Sequence, residues 1–94
     1  MKDYLKFYID GEWVDPVQPR TLDIEDPATE EMFARISIGS KADVDRAVAA
    51  AKAAFPAFAA TSVDYRAGLL EKIAAAYQKR LPEIAEAISA EMGA

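Results

Sequence analysis

The spacing of the apolar residues changes once along this chain, at Gly39-Ser40. Before that point apolar side chains alternate with polar ones, as at Leu5, Phe7 and Ile9, and this alternation predicts β-strands with one buried face. After it they recur three or four residues apart, which predicts amphipathic helices. The first such stripe consists of Val44, Ala47, Val48, Ala51 and Phe55. Strands followed by helices predict an α+β fold.

Turn signals divide the strand region into two β-hairpins, which together span residues 4–38. Asp10-Gly11 is a residue pair that favours a tight two-residue turn. The short returning strand contains Trp13, which we expect to anchor packing of the sheet. Asp26-Pro27 supplies the turn of the second hairpin.

The helical region is predicted to contain three helices, at about 41–55, 62–80 and 82–92. Ser40 and Asp43 have the spacing of a capping box at the start of the first helix. Pro56 is expected to end that helix, and Pro82 to begin the third one, because proline is tolerated in a first helical turn and disfavoured in an interior. The buried line of the second helix is expected at Leu70, Ile73, Tyr77 and Leu81.

Composition excludes several kinds of site. The formal net charge of −5 argues against nucleic acid binding, which needs a concentrated Lys/Arg surface. The chain has no cysteine and no histidine, so it lacks a thiolate nucleophile and also the commonest metal ligand and general base. Neither of the glycine-rich patterns that hold phosphate groups is present. The acidic pairs Glu25/Asp26 and Glu30/Glu31 are interpreted as solvated turn charges, because neighbours in a strand point to opposite faces.

The sequence gives no sign of a membrane segment. No run of about 18 apolar residues is free of charge. Charges are scattered through the first six residues, where a signal peptide would need an apolar core. We therefore expect no membrane partner and a cytoplasmic location.

Three segments in this order resemble the beginning of the NAD(P)-dependent aldehyde dehydrogenase superfamily. They are FYIDGEWV at 7–14, DPATEE at 26–31 and DVDRAVAAAKAAFP at 43–56. The similarity continues through Arg66 to Glu91-Met92-Gly93 and covers nearly the whole chain. The family usually has Asn at the position of Asp26 and Gly at the position of Glu30, differences that leave the subfamily open.

The resemblance implies that residues 1–94 are the N-terminal segment of the cofactor-binding domain of a longer enzyme. That family oxidises aldehydes to carboxylic acids with NAD or NADP, and its catalytic cysteine and glutamate would lie beyond Ala94. The 94-residue chain alone is therefore expected to bind no cofactor and to be inactive. Its expected partner is the remainder of the enzyme chain or another copy of itself, and the enzyme is expected to be a homo-oligomer.

The resemblance also implies an alkali cation site. Several family members hold such a cation with backbone carbonyls just before the turn of the second hairpin and with an acidic residue of the last helix. The matching positions are Ile24, with Glu25 beside it, and Glu91. An exposed Glu91 without a ligand role is the alternative.

A second interpretation of the whole chain is a free-standing module for protein interaction or oligomerisation, without enzymatic activity. In that case the exposed sheet and helix stripes would bind another copy or another chain. Self-association separates the two interpretations. A cut fragment should aggregate, whereas an evolved module should form a defined monomer or dimer.

Overall fold

The computed structural model describes residues 1–94 as five strands followed by two helices, which confirms the α+β prediction. The elements are β1 Lys2–Tyr4, β2 Phe7–Ile9, β3 Glu12–Val14, β4 Thr21–Asp26, β5 Glu31–Ser37, α1 Lys41–Ala59 and α2 Val63–Met92. A three-stranded sheet has the order β1-β5-β4, with β1 parallel and β4 antiparallel to β5. β2 and β3 form a separate antiparallel hairpin.

The first hairpin turns at Asp10-Gly11, as predicted. Asp10 has a φ of 54° and Gly11 a φ of 76°, and two positive φ values are what a type I′ turn requires. Trp13 packs on its cross-strand neighbour, as expected of an anchor of the hairpin, but it is not buried. Its side chain is 68% exposed and packs against Tyr8, with ring centroids 5.1 Å apart, on the face opposite the buried Ile9.

The N-terminal strand differs from the prediction, because the residues before the Asp10-Gly11 turn form two strands, β1 and β2. β1 belongs to a different sheet from β2 and pairs with β5, where Lys2 is opposite Ala34 and Tyr4 is opposite Ile36. Alternation of side chains identifies a strand and one buried face, but it carries no information about the neighbouring strand. The parallel pairing therefore comes from tertiary contacts.

Two helices take the place of the predicted three, because Pro56 and Pro82 lie inside α1 and α2. A proline removes one helix hydrogen bond and costs about 3 kcal/mol in an interior. A break would instead leave up to about four carbonyls and four N–H groups without partners at the new ends. The alanine-rich flanks have the highest helix propensity, and both helices therefore continue through the proline.

Very little of the chain is buried. Ile9, Ala34 and Asp43 are the buried residues. The accessible surface is 7570 Å² and the radius of gyration 17.0 Å. A compact protein of this mass has about 5,300 Å² of surface and a radius of gyration of about 12 Å. The fold therefore exposes much more surface than a self-contained domain.

The excess surface includes the helix faces that the sequence predicted to be buried. α1 packs against β2 and α2 against β4, and each helix turns much of its apolar stripe outward. On α2 the exposed residues are Leu70, Ile73, Tyr77 and Leu81, and on α1 they are Val44, Val48 and Phe55. Neither helix has the length of uncharged apolar sequence that a membrane span needs.

Replacement of Gly11 by Val tests the first hairpin. A left-handed φ costs residues with a Cβ about 1 kcal/mol or more, and a β-branched side chain suffers most. We expect Gly11→Val to lower the free energy of unfolding by that amount and therefore to lower the urea midpoint. Gly68→Ala is the control, since an added Cβ at Gly68 inside α2 would have no heavy atom within 4 Å. This control should raise the stability by up to about 1 kcal/mol, and an unchanged midpoint for Gly11→Val would contradict the turn.

Candidate functional site

The turn between β4 and β5 is shaped by its own side chains. Asp26 Oδ1 accepts a hydrogen bond from the N–H of Ala28 at 2.8 Å, and the Asp26 carbonyl accepts one from the N–H of Glu30 at 2.8 Å. Thr29 Oγ1 accepts a bond from the N–H of Glu31 at 3.3 Å. Glu30 has a left-handed φ of 59°, a conformation that glycine adopts at lower cost. The turn is thus defined before any other element contacts it.

The end of α2 lies directly on this turn. Gly93 ends the helix with a φ of 75°, and the N–H groups of Gly93 and Ala94 both donate to the carbonyl of Ser89. A Cβ built on Gly93 would lie 2.9 Å from the backbone nitrogen of Ala28 and 3.2 Å from Pro27 Cβ. Glycine is therefore required at position 93, both for its φ and for this close approach. We call this contact the α2–turn junction.

The two predicted cation ligands lie on the two elements that meet near this junction. Ile24 is half-buried in β4, beside a shift in the pairing register between Ile24 and Glu25. Glu91 is exposed in the last turn of α2, which packs against β4. No three acidic side chains converge as they would in a site for a multivalent metal ion. Cation binding by Ile24 and Glu91 stays a prediction.

A second cluster of polar groups lies at the start of α1, around the buried carboxylate of Asp43. Its Oδ2 accepts hydrogen bonds from the N–H and the hydroxyl of Ser40, both at 3.0 Å, which confirms the capping box. Its Oδ1 accepts a bond at 3.0 Å from the N–H of Val17, in the segment after β3. Arg46 Nη2 lies 4.0 Å from the same oxygen and donates to the Asp15 carbonyl at 3.3 Å.

These contacts shift the titration of Asp43. The backbone N–H of Ser40, then that of Val17, holds the pKa of the Asp43 carboxyl below its usual range, and the Ser40 hydroxyl and Arg46 act in the same direction. Burial opposes the shift and is outweighed. Sequence reasoning found the capping box but missed the contact with Val17, because that residue lies 26 positions earlier in the chain.

Neither helix start suits the pyrophosphate of a dinucleotide. Helix N-termini bind phosphates through free N–H groups. At α1 the carboxylate of Asp43 occupies that position, and at α2 the Ser62 hydroxyl accepts from Tyr65 while Asp64 lies in the first turn. A phosphate at either place would meet a carboxylate. Neither helix start therefore fits the pyrophosphate of NAD or NADP.

Two shallow clefts of 330 and 360 Å³ lie beside the Asp10-Gly11 tip, where it stands over α1. Alanines of α1 form much of the lining of the first cleft, and Arg46 is the one basic side chain in the second. A binding site for a small molecule usually has several convergent polar groups. The first cleft lacks them, and the second is open and shallow, with Asp10, Glu12 and Arg46 on its lining.

Comparison with known proteins identifies a family. The sequence model of the aldehyde dehydrogenase family matches residues 13–94. A 3-succinoylsemialdehyde-pyridine dehydrogenase from a Pseudomonas species is 48% identical over the whole chain. The match covers 20% of that relative, so the chain spans about a fifth of its length.

Solved structures agree with this result. An aldehyde dehydrogenase from Bartonella henselae matches with a TM-score of 0.97 and 49% identity, over all of this chain and 20% of the other. A mutant aldehyde dehydrogenase C from Pseudomonas syringae, solved with NAD⁺ and octanal, matches with a TM-score of 0.92 and 50% identity, over 95% of this chain and 18% of the other.

Acid titration tests the role of Asp43. A carboxyl whose pKa is lowered on folding adds stability above its unfolded pKa, about 3.9, and loses that contribution as the pH falls through the folded value. We expect Asp43→Asn to lower the urea midpoint at pH 7. Between pH 7 and about pH 3 the midpoint of this variant should fall less than that of the unmutated protein. Asp45→Asn is the control, since Asp45 is exposed and pairs with Lys41 Nζ at 2.7 Å. An unchanged pH dependence in Asp43→Asn would contradict the assignment.

Proposed function

Because this chain belongs to the aldehyde dehydrogenase family, we propose that it serves in the NAD(P)-dependent oxidation of an aldehyde to a carboxylic acid. The reaction belongs to a longer chain, in which residues 1–94 form the first part of the cofactor-binding domain. One observation carries the proposal: the whole chain superimposes on an aldehyde dehydrogenase with a TM-score of 0.97 at 49% identity.

In this proposal residues 1–94 contribute shape and not catalytic groups. NAD(P), when bound by the longer enzyme, accepts a hydride from the substrate. A thiolate that attacks the aldehyde has to come from outside these residues, since they include no cysteine. The hydroxyls of the chain have no histidine to take their proton, so none of them can replace the thiolate.

The remainder of the enzyme is the proposed partner of the outward helix faces. The accessible surface of 7570 Å² exceeds that of a compact protein of this mass by about 2,200 Å². Obligate interfaces commonly bury about 2,000–5,000 Å² over both partners, and they are more apolar than transient ones. The exposed stripes on α1 and α2 have the size and the chemistry of such an interface. Assembly of the longer enzyme into a homo-oligomer is part of the same proposal.

The proposal includes an alkali cation held by the Ile24 carbonyl and the Glu91 carboxylate. Hard cations prefer oxygen ligands of this kind. Support comes from the α2–turn junction, which brings the last turn of α2 to the end of β4.

Cation binding should appear as a specific ion effect on stability. At a Na⁺ concentration tenfold above its Kd, a bound ion adds about 1.4 kcal/mol to the free energy of unfolding. We expect NaCl to raise the urea midpoint relative to choline chloride at equal ionic strength. Glu91→Gln should abolish the difference, while Glu86→Gln, which changes an exposed carboxylate on the same helix, should retain it. Equal midpoints in the two salts would remove the site.

A chimera tests the proposed enzyme function. We expect the Bartonella henselae enzyme to oxidise aldehydes at a rate within about tenfold of its own when its first fifth is replaced by residues 1–94. The reason is that a core of equivalent volume and pattern tolerates many simultaneous substitutions. The measurement is the aldehyde-dependent rise in absorbance at 340 nm with NAD or NADP. A folded chimera without activity would contradict the proposal.

Residues 1–94 alone should give no such rise with any aldehyde in a panel of aliphatic and aromatic substrates. Loss of both the nucleophile and the cofactor site leaves only the background rate. The truncated Bartonella enzyme without its first fifth is the matched control for the chimera and should also be inactive. A saturable rise by residues 1–94 that survives repurification would overturn this part of the proposal.

A further inference from the structure

We propose that β1 is a detachable strap, and that its attachment to β5 is set by competition between Asp3 and Asp23 for the guanidinium of Arg35. The proposal rests on a row of three charged side chains across the three-stranded sheet. It is independent of the enzyme function, because none of the three residues belongs to the junction or to the Asp43 cluster.

The strap is short, and it is held by its pairing with β5 and by one ion pair to that strand. β1 contains three residues, all of them exposed. Asp3 lies directly opposite Arg35 in the parallel pairing. Arg35 Nε donates to Asp3 Oδ1 at 3.0 Å and Nη2 donates to Oδ2 at 3.1 Å. This two-point geometry is the strongest form of a carboxylate–arginine pair, and it is the specific side-chain clamp on β1.

The anchor at the end of the strap limits how far it can move. Ser37 Oγ donates to the carbonyl of Leu5 at 2.6 Å in a half-buried position. Leu5 is itself half-buried, and β2 begins two residues later. Release of β1 therefore involves residues 1–4, with Leu5 as the pivot.

The competitor lies on the other side of Arg35. Asp23 of β4 is directly opposite Arg35 in the antiparallel pairing, so Asp3, Arg35 and Asp23 form one cross-strand row on one face of the sheet. Directly opposed residues have Cβ atoms about 4.5–5.5 Å apart, within reach of an arginine side chain. Arg35 donates only to Asp3 here. Hydrogen bonding to Asp3, with Asp23 adding a smaller attraction, raises the pKa of Arg35.

One guanidinium cannot present the same two-point fork to both carboxylates. The Met1 ammonium adds an attraction on the side of Asp3. When Arg35 turns to Asp23, β1 loses its clamp while the row keeps one ion pair. The competition thus lowers the free energy needed to detach the strap.

Detachment changes both faces of the sheet. On the opposite face Tyr4, Ile36 and Leu22 form the adjacent cross-strand row, with Ile36 in the middle and 37% exposed. Removal of Tyr4 exposes Ile36 further and frees the backbone edge of β5. A free strand edge is a surface to which another extended segment can add.

Amide hydrogen exchange of residues 1–6 tests the competition. We expect Asp3→Asn and Arg35→Gln to speed exchange in this segment by about two- to fivefold, the range of exposed ion pairs. Asp23→Asn should slow it by a similar factor, because the competitor is gone. In the Arg35→Gln background Asp23→Asn should have no effect. Salt at about 1 M should reduce all these differences.

Asp45→Asn is the control, since it removes the same charge from an exposed pair on α1. It should leave the exchange of residues 1–6 unchanged, and none of the variants should alter exchange in α2. Unchanged or faster exchange in Asp23→Asn would overturn the competition. Unchanged exchange in Asp3→Asn would show that the ion pair does not hold the strap.

Discussion

The carboxylate of Asp43 is the interaction on which the arrangement of the elements depends. It binds the Ser40 end of the linker after β5, the Val17 segment after β3 and the first turn of α1. Ile9 and Ala34 are the only buried apolar residues, so a hydrophobic core cannot fix these segments relative to one another. A fully hydrogen-bonded buried charge fixes direction as well as distance, and this joint sets the position of the β2–β3 hairpin over α1.

The outward apolar faces of α1 and α2 show that this segment does not cover its own apolar surface. A domain that folds for itself turns its helix stripes toward its own sheet, whereas α1 and α2 each contact a different strand and leave much of their stripes to solvent. The chain matches about a fifth of a longer protein, and in the proposed assembly the rest of such a protein covers these faces. The stability of these elements is therefore expected to depend on the partner as much as on internal contacts.

Local signals in the sequence were sufficient for the features that depend on a few neighbouring residues. Asp10-Gly11, the turn after Asp26 and the Ser40–Asp43 box all have the predicted form. Features set by distant residues were not predictable in this way. The pairing of β1 with β5 and the contact between Val17 and Asp43 join positions more than 25 residues apart. At Pro56 and Pro82 the local signal was misleading. Each proline predicts a helix boundary, but the helix continues because a break would leave two new helix ends without hydrogen-bond partners. The cation site came from the family resemblance, and the structure brings together the two elements that carry Ile24 and Glu91 without testing whether an ion binds there.

The α2–turn junction has a consequence for the order of folding. During synthesis Ala28 leaves the ribosome about 65 residues before Gly93, which corresponds to several seconds at about 5–20 residues per second. A hairpin forms in about 1–10 μs, so the β4–β5 turn has time to adopt its shape long before the helix end exists. The absence of a side chain at Gly93 then lets the helix terminus settle onto a surface formed earlier. The β4–β5 turn therefore forms first, and the end of α2 packs onto it afterwards, with Gly93 at the point of contact.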